Sequence, residues 1–280
     1  MGGNTLAIGN VTILSLSDGD MRSPVREMYG DEAVKVWGCG CVSPETEPEF
    51  STNLGSFLIR SGGKTLMVDT GMGDVTVDVA EGAWGSLFDE MKANKVDAGE
   101  VDMVFMTHLH FDHTGWNVSR NGGPTTVLFP NARYVAHELD WDFFRNEPEA
   151  REKYYYNPET VEPLHEIGKL DLVSGKEWQI TEEITAIHTP GHTPGHMSLL
   201  VSSQGERGLV LGDVAHHPKQ VQETGWKVFA DCDHDVARET RESVMKLVEE
   251  KGLKMAAGHF PAPGFGQIVR LEGRRVWQAL

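Results

Sequence analysis

The run Thr107–Gly115, with the sequence THLHFDHTG, is the feature that most restricts the fold of this chain. Four potential metal ligands fall within six positions of this run: His108, His110, Asp112 and His113. The run directly follows the apolar segment Val101–Met106, which has the length and composition of a buried strand. The ligands then lie on a strand-to-loop turn, where the first two point to one side and the last two to a neighbouring position. We therefore expect one loop to serve two divalent ions.

Three later strand-like runs each end at one further ligand. Glu183–His188 leads into the segment TPGHTPGH, in which two Pro-Gly turns flank His192. Leu209–Gly212 ends at Asp213, and Lys254–Gly258 ends at His259. In open α/β sheets the carboxyl ends of strands build the functional site, so these three side chains are expected beside the first cluster. Imidazole and carboxylate ligands suit zinc, iron, cobalt or manganese better than calcium or magnesium.

The pattern of elements predicts an α/β fold with one domain covering residues 1–280. Strand-like runs followed by a helical run occur in the first half and again in the second, and no linker-like composition separates the halves. We therefore expect four layers in the order helix, sheet, sheet, helix (αββα). Residues 1–50 are expected to contribute an N-terminal strand, with a turn at Ser17–Asp20, and then a long substrate-side loop over Met21–Glu49 with room for one short helix. A helix is predicted over Glu138–Tyr156, and another ends at Gly252 as a C-cap.

Charge and composition exclude several classes of function. The chain carries 42 acidic and 25 basic residues, a formal net charge of −17, which disfavours binding to nucleic acid or to an anionic membrane surface. We find no apolar stretch near the roughly 20 residues of a membrane-spanning helix and no signal peptide in the first 18 residues. A cytoplasmic location is therefore expected. The three cysteines (Cys39, Cys41 and Cys232) are expected to be free thiols, as in a reducing compartment.

Taken together, the HLHFDH run, the PGHTPGH turn, the Gly-Asp pair at Asp213 and the Gly-His pair at His259 resemble the metallo-β-lactamase superfamily. The resemblance extends from about Asn53 to His259. It implies that one metal ion takes His108, His110 and His192. The second would take Asp112, His113 and His259, with Asp213 bridging the two ions. The chain segment VDTG resembles the family's early aspartate motif, and Asp69 in it is then expected to support the metal-binding loop.

Within the superfamily, the ligand set is similar to the quorum-quenching lactonase and methyl-parathion-hydrolase-like group. The resemblance implies a dinuclear hydrolase, with zinc as the expected metal pair and iron, cobalt or manganese as alternatives. It would attack a lactone or ester, such as an N-acyl homoserine lactone, with a metal-bridging hydroxide. Asp112 would pass a proton to the leaving oxygen, and His216 would donate a hydrogen bond to the substrate oxygen. His216 stands where the best-known lactonases carry a tyrosine, and its alternative interpretation is a surface histidine. A homodimer is a further expectation from the resemblance.

Seven apolar side chains are predicted to form a substrate-binding wall, although most residues of this type simply lie in a core: Met21, Met28, Trp37, Phe111, Trp116, Phe260 and Phe265. The expected partner is a small-molecule substrate. Alternatives to lactone hydrolysis at the same metals are phosphotriester or aryl-ester hydrolysis, then a glyoxalase II-type thioesterase and a β-lactamase. A purely structural zinc site is disfavoured, because such sites are normally closed, tetrahedral and often rich in cysteine.

Overall fold

A computed structural model describes residues 3–37, 48–74, 81–119, 125–154 and 156–280. The strands are β1 (Thr5–Ile8), β2 (Val11–Pro24), β3 (Glu49–Ser61), β4 (Lys64–Val68), β5 (Glu81–Trp84), β6 (Met103–Phe105), β7 (Val118–Ser119), β8 (Thr126–Val127), β9 (Arg133–His137), β10 (Leu170–Val173), β11 (Glu177–Thr181), β12 (Ile184–His188), β13 (Met197–Ser203), β14 (Glu206–Val210), β15 (Lys254–Ala256), β16 (Phe265–Leu271) and β17 (Arg274–Ala279). The helices are α1 (Val25–Trp37), α2 (Leu87–Ala93), α3 (Phe111–Thr114), α4 (Glu138–Asn146), α5 (Pro148–Lys153), α6 (Pro158–Glu166) and α7 (His234–Lys251). None of these described helices is long and apolar enough to cross a bilayer.

Two mixed sheets form the middle of the fold. The first has the order β1-β2-β3-β4-β6-β9-β10, with β5 paired to β2, and the second runs from β11 to β17 in chain order. Among the described strands, the parallel pairs are β4-β6, β6-β9 and β9-β10 in the first sheet and β14-β15 in the second. These parallel strands place their carboxyl ends at one edge of each sheet, where the ligand-bearing loops begin.

Three hydrophobic clusters define the layers. The first lies between the first sheet and its helices, and it includes Leu58 and Met67 with Met91 and Phe144. The second lies between the two sheets, where side chains such as Phe105 of β6 and Leu199 of β13 belong to one core. The third joins the second sheet to α7 through Met255, Met245 and neighbouring residues. The expected αββα layering is therefore confirmed.

The N-terminal region differs from its prediction. Strand β2 does not turn at Ser17–Asp20 but passes a bulge there and continues to Pro24, because its backbone pairs with β3 on one side and with β5 on the other. The segment predicted as a loop with room for one short helix contains α1, which is 13 residues long and broken at Gly30 (φ 78°). The end of β2 is mostly polar, so it lacks the regular burial of apolar side chains by which a strand is recognised in a sequence. Backbone hydrogen bonds to β3 and β5 hold this end of the strand instead. Residues 38–47, with Cys39 and Cys41, lie outside the described residues; Cys232 is a free thiol.

Two helix predictions have different outcomes. The helix predicted over Glu138–Tyr156 is two helices, because Pro148 cannot continue the first and instead begins the second. The predicted C-cap of α7 is confirmed, since Gly252 adopts the left-handed conformation (φ 59°).

Gly115 lets two loops cross at the carboxyl end of the first sheet. Its amide donates to the carbonyl of Gly71 at 2.8 Å, and a Cβ atom added at Gly115 would lie 2.0 Å from the carbonyl carbon of Met72. A backbone carbonyl cannot move away as the end of a flexible side chain can. The loop that follows β4 and the histidine-rich loop therefore require glycine at this crossing.

We predict that Gly115→Ala lowers the free energy of unfolding by about 1–3 kcal/mol, the usual cost of forcing extra volume into a packed region. Urea denaturation followed by circular dichroism measures this change. Gly225→Ala is the matched control, because Gly225 is exposed and an added Cβ meets nothing within 4 Å. Equal stability of the two variants would contradict the predicted crowding.

Candidate metal centre

Four loops bring the predicted ligands to one place between the carboxyl ends of the two sheets. The loop after β6 carries His108 and His110 and continues into the short helix α3, which carries Asp112 and His113. The loops after β12, β14 and β15 add one side chain each: His192, Asp213 and His259. All seven are buried except Asp112, which is partly exposed.

One group of ligands consists of three imidazoles. The Nδ1 atom of His110 lies 3.1 Å from Nε2 of His108 and 3.0 Å from Nε2 of His192. Burial lowers the pKa of His108 and that of His110 well below the usual value, so both rings are neutral. A single ring proton cannot satisfy three converging nitrogen atoms at once, whereas a cation at their centre takes all three lone pairs.

A second group adds carboxylates. The Nε2 atoms of His113 and His259 lie 3.3 Å apart, and each is 3.5 Å from Oδ2 of Asp112. Burial opposes the charged form of His113, but the carboxylates of Asp213, Asp112 and Asp69 outweigh it and raise its pKa well above the usual value. This position therefore favours positive charge.

Asp213 lies between the two groups. Its Oδ2 atom is 3.0 Å from Nε2 of His259, 3.3 Å from those of His113 and His192, and 3.8 Å from that of His108. Burial alone would raise the pKa of Asp213, yet the surrounding histidines outweigh it and hold the pKa well below the usual value. A carboxylate that contacts both ligand groups is suited to bridge two cations.

The donor set fits divalent metal ions. His108, His110 and His192 offer atoms within 4.8 Å of one another, and so do Asp112, His113 and His259. Nitrogen and carboxylate donors of this kind suit zinc and its first-row neighbours. The structure brings together the two groups that the family resemblance implied, and metal binding by these side chains stays a prediction.

Partners on the far side of the rings hold four of the five histidines in orientation. Asp69, at a left-handed backbone position (φ 58°), accepts from the Thr107 amide at 2.7 Å and lies 2.9 Å from Nδ1 of His113. Nδ1 of His259 lies 2.9 Å from the carbonyl oxygen of Asn53, and Nδ1 of His108 lies 3.1 Å from the Thr107 hydroxyl. Such partners fix which ring nitrogen faces a metal.

Asp231 provides the corresponding partner for His192, and sequence reasoning missed it. Its Oδ1 lies 3.0 Å from Nδ1 of His192, and its Oδ2 accepts from the buried guanidinium of Arg241 at 3.2 Å. Arg241 also donates to the carbonyl of Val214 at 2.7 Å, which ties α7 to the loop that carries Asp213. Asp231 follows no strand signal, so its sequence neighbourhood offers no reason to select it.

His196, which was not assigned to metal, has a structural contact instead. Its Nε2 atom accepts from the amide of Asp213 at 2.8 Å, and its Nδ1 atom lies 2.8 Å from the Thr189 hydroxyl. Burial lowers the pKa of His196 to about 3, so the ring is a neutral acceptor. This histidine therefore holds the Asp213 backbone in place.

His216 is buried beside the ligands and not on the surface. Its Nε2 atom lies 3.2 Å from Oδ2 of Asp213, and the two residues with His192 form a further group of donors within 4.8 Å. Burial lowers the pKa of His216 to about 4. A neutral imidazole at this position can donate one hydrogen bond through its N–H group or bind a metal ion through its other nitrogen.

A cavity opens above the ligands, and three of the seven predicted wall residues line it: Met21, Met28 and Phe111. Phe229 and Ala230, which the sequence prediction missed, also contribute to the wall. Because Phe229 lies in a segment without regular secondary structure, no periodicity marked it.

The other four predicted wall residues lie in the interior or in another cluster, which corrects the prediction. Phe265 begins β16 and packs against Phe57 between the sheets, while the fully buried Phe260 packs against Trp277. The indole of Trp116 donates to Asp18 at 2.8 Å. Trp37 stacks in the aromatic cluster that contains Tyr29, Phe50 and Trp226. Each of the four finds an apolar or hydrogen-bonding partner inside the protein.

Comparison with known proteins agrees with this geometry. The family model of the metallo-beta-lactamase superfamily matches residues 56–259. The chain is 27% identical to the N-acyl homoserine lactonase AttM of Rhizobium radiobacter over 236 residues, which covers 73% of this chain and 81% of AttM. It is 28% identical to the atrochrysone carboxyl ACP thioesterase of Passalora fulva over 160 residues, or 56% of this chain, and spans 37% of the length of that protein.

Among solved structures, AidC superposes with a TM-score of 0.82 at 20% identity, and it is described as a dizinc quorum-quenching lactonase in complex with a product. The match covers 100% of this chain and 97% of AidC. At that identity the likeness establishes the fold. The family match covers most of the chain, which therefore belongs to the metallo-beta-lactamase superfamily.

We predict that Asp231→Asn weakens zinc binding by about 10–100-fold, the usual effect of removing the partner of a ligating histidine. Competition with a chromogenic chelator measures the affinity. Asp171→Asn is the control, because Asp171 is also paired with an arginine, Arg133, but at the surface. Unchanged zinc affinity in the Asp231 variant would show that this contact does not orient His192.

Proposed function

We propose that this protein is a dinuclear metal-dependent hydrolase that opens lactone rings, with N-acyl homoserine lactones as its substrate class and zinc as its metal pair. The observation that carries the proposal is the convergence of seven donor atoms from four loops beneath an apolar-walled cavity. The similarity to AttM over most of its length favours lactone hydrolysis among the reactions of this superfamily. The description of AidC as a dizinc lactonase favours zinc.

The domain organisation is part of this proposal. Residues 1–280 would act as one metallo-beta-lactamase-like domain, in which the N-terminal segment supplies part of the substrate site. Met21 at the end of β2 and Met28 on α1 support this role, since both side chains line the cavity. The substrate would be a small molecule whose acyl chain lies against these side chains and Phe111.

In this proposal, His108, His110 and His192 would hold one ion, Asp112, His113 and His259 would hold the other, and Asp213 would contact both. Divalent ions bound there would supply a water of lowered pKa and polarise the ester carbonyl. The carboxylate of Asp112 is the most exposed of the seven ligands and lines the cavity, so it can carry a proton to the leaving oxygen. His216 would donate a hydrogen bond to the carbonyl oxygen as charge develops on it.

Thioester hydrolysis is a second candidate, and the match to a carboxyl ACP thioesterase favours it. Both reactions begin with attack on an acyl carbon, so the same residues serve either. A panel of a lactone, a thioester, a phosphotriester and a β-lactam distinguishes these activities.

We predict that the zinc-loaded protein hydrolyses N-acyl homoserine lactones faster than the other three substrates, and that Asp213→Ala abolishes both tight metal binding and turnover. Removal of the central carboxylate leaves the ligand groups without their common partner. Metal analysis and a pH-indicator assay measure the two effects. The control is Asp142→Ala, an exposed position on α4. Turnover that survives complete metal removal would contradict the proposal.

We also predict that His216→Ala lowers kcat about 100-fold with little change in KM, as expected for loss of one hydrogen-bond donor to the developing negative charge. The bound metal should stay at two ions per chain. The exposed His165→Ala serves as the control. Loss of one metal ion in the His216 variant would assign His216 to the ligands instead.

A further inference from the structure

Thr52 is a buried polar residue in the wall of the cavity. It lies in β3, opposite Met21 of β2, and it is one of the residues that line the cavity, although only 2% of it is exposed. The next residue, Asn53, accepts the hydrogen bond from Nδ1 of His259 through its carbonyl oxygen. Thr52 is therefore on the wall next to the ligand group of Asp112, His113 and His259.

The hydroxyl of Thr52 has no hydrogen-bond partner within the described part of the chain. A buried hydroxyl without a partner is destabilising, because it has lost its hydrogen bonds to water and gained none in return. Valine has nearly the same shape and suits β3 equally well, so folding alone gives no advantage to the hydroxyl. A partner supplied by a bound molecule would remove the disadvantage.

The cavity wall around Thr52 is mostly apolar, and this limits the kinds of molecule that can bind there. Met21, Met28 and Phe229 offer no strong hydrogen-bonding groups. Ser23 carries the other hydroxyl of the wall, but it is only half-buried, so water can satisfy it. A bound molecule with an apolar chain and one polar group near its reacting end matches this pattern.

We propose that Thr52 is a specificity-determining residue whose hydroxyl binds the amide group beside the scissile ester of an N-acyl lactone. This inference rests on the proposed function and goes beyond it by naming the group that is recognised. Because Thr52 is next to the residue that holds His259, the amide it contacts lies near the scissile bond and not at the far end of the acyl chain.

The test compares two lactones in four proteins. The substrates are N-hexanoyl-L-homoserine lactone and a γ-butyrolactone in which two methylene groups replace the amide. The proteins are the zinc-loaded wild type, Thr52→Val, Thr52→Ser and Ser56→Ala. Ser56 is the matched control, since it is on the same strand and its buried hydroxyl also has no partner in the described chain, yet it does not line the cavity.

Thr52→Val is expected to lower kcat/KM for the amide-bearing lactone about 10-fold, as for loss of one hydrogen bond of average strength. It should change kcat/KM for the amide-free lactone by less than about 2-fold, because that substrate never used the hydroxyl. Thr52→Ser and Ser56→Ala should behave as the wild type does. Equal losses on both lactones, or no loss on either, would overturn the inference.

Thermal stability separates recognition from a structural role. Since the hydroxyl has no partner in the folded chain, Thr52→Val should leave Tm unchanged or raise it by about 2–4 °C. A lower Tm would mean that the hydroxyl supports the fold, and the proposal would then be wrong.

A binding measurement separates failure of this inference from failure of the proposed function. If the wild type hydrolyses neither lactone, lactone hydrolysis is refuted, and calorimetric titration with the ring-opened N-hexanoyl-L-homoserine then tests Thr52 directly. Weaker binding to Thr52→Val than to the wild type and Ser56→Ala would support the contact. Equal binding, or no binding to the wild type, would overturn it.

Discussion

One buried carboxylate, that of Asp213, organises the site. Its Oδ2 atom lies within 3.8 Å of five imidazole nitrogen atoms, those of His108, His113, His192, His216 and His259. Removal of such a group from water carries a large free-energy cost, which is recovered only when opposite charge and well-aligned donors surround it. The loops that supply those donors come from both sheets. The relative position of the sheets, and thus the core between them, therefore determines whether the site forms.

The support of the ligands is distributed over the fold in the same way. Asp69 follows β4 of the first sheet and holds His113, whereas Asp231 and Arg241 hold His192 from the second half. His196 binds the backbone amide of Asp213. Because each partner is itself buried and hydrogen-bonded, the imidazoles are oriented by packing and not by the loops alone. A rigid donor set of this kind limits the reorganisation needed when metal binds.

The sequence allowed the layers and the cluster to be predicted, but not the surroundings of the cluster. Four potential ligands within six residues after an apolar strand form a dense local pattern, and strand ends indicated the other three. Asp231 has no such pattern, because its role depends on a contact made 39 residues away. Trp116 and Phe265 are aromatic and lie near the motifs in sequence, which is why they are predicted to line the cavity. In the structure the indole of Trp116 donates to Asp18, and Phe265 packs in the core between the sheets.

This difference has a physical basis. Metal ligands must have particular chemistry, so few residue types fit and their order along the chain is informative. A cavity wall needs only apolar surface of suitable shape, and apolar residues are equally suited to a core. The wall here comes from the end of β2, from α1 and from the irregular segment with Phe229, which share no periodicity. Within such a wall, a residue with a buried hydroxyl indicates which substrate group is recognised. A polar group out of water needs a hydrogen-bond partner, and its apolar neighbours cannot provide one.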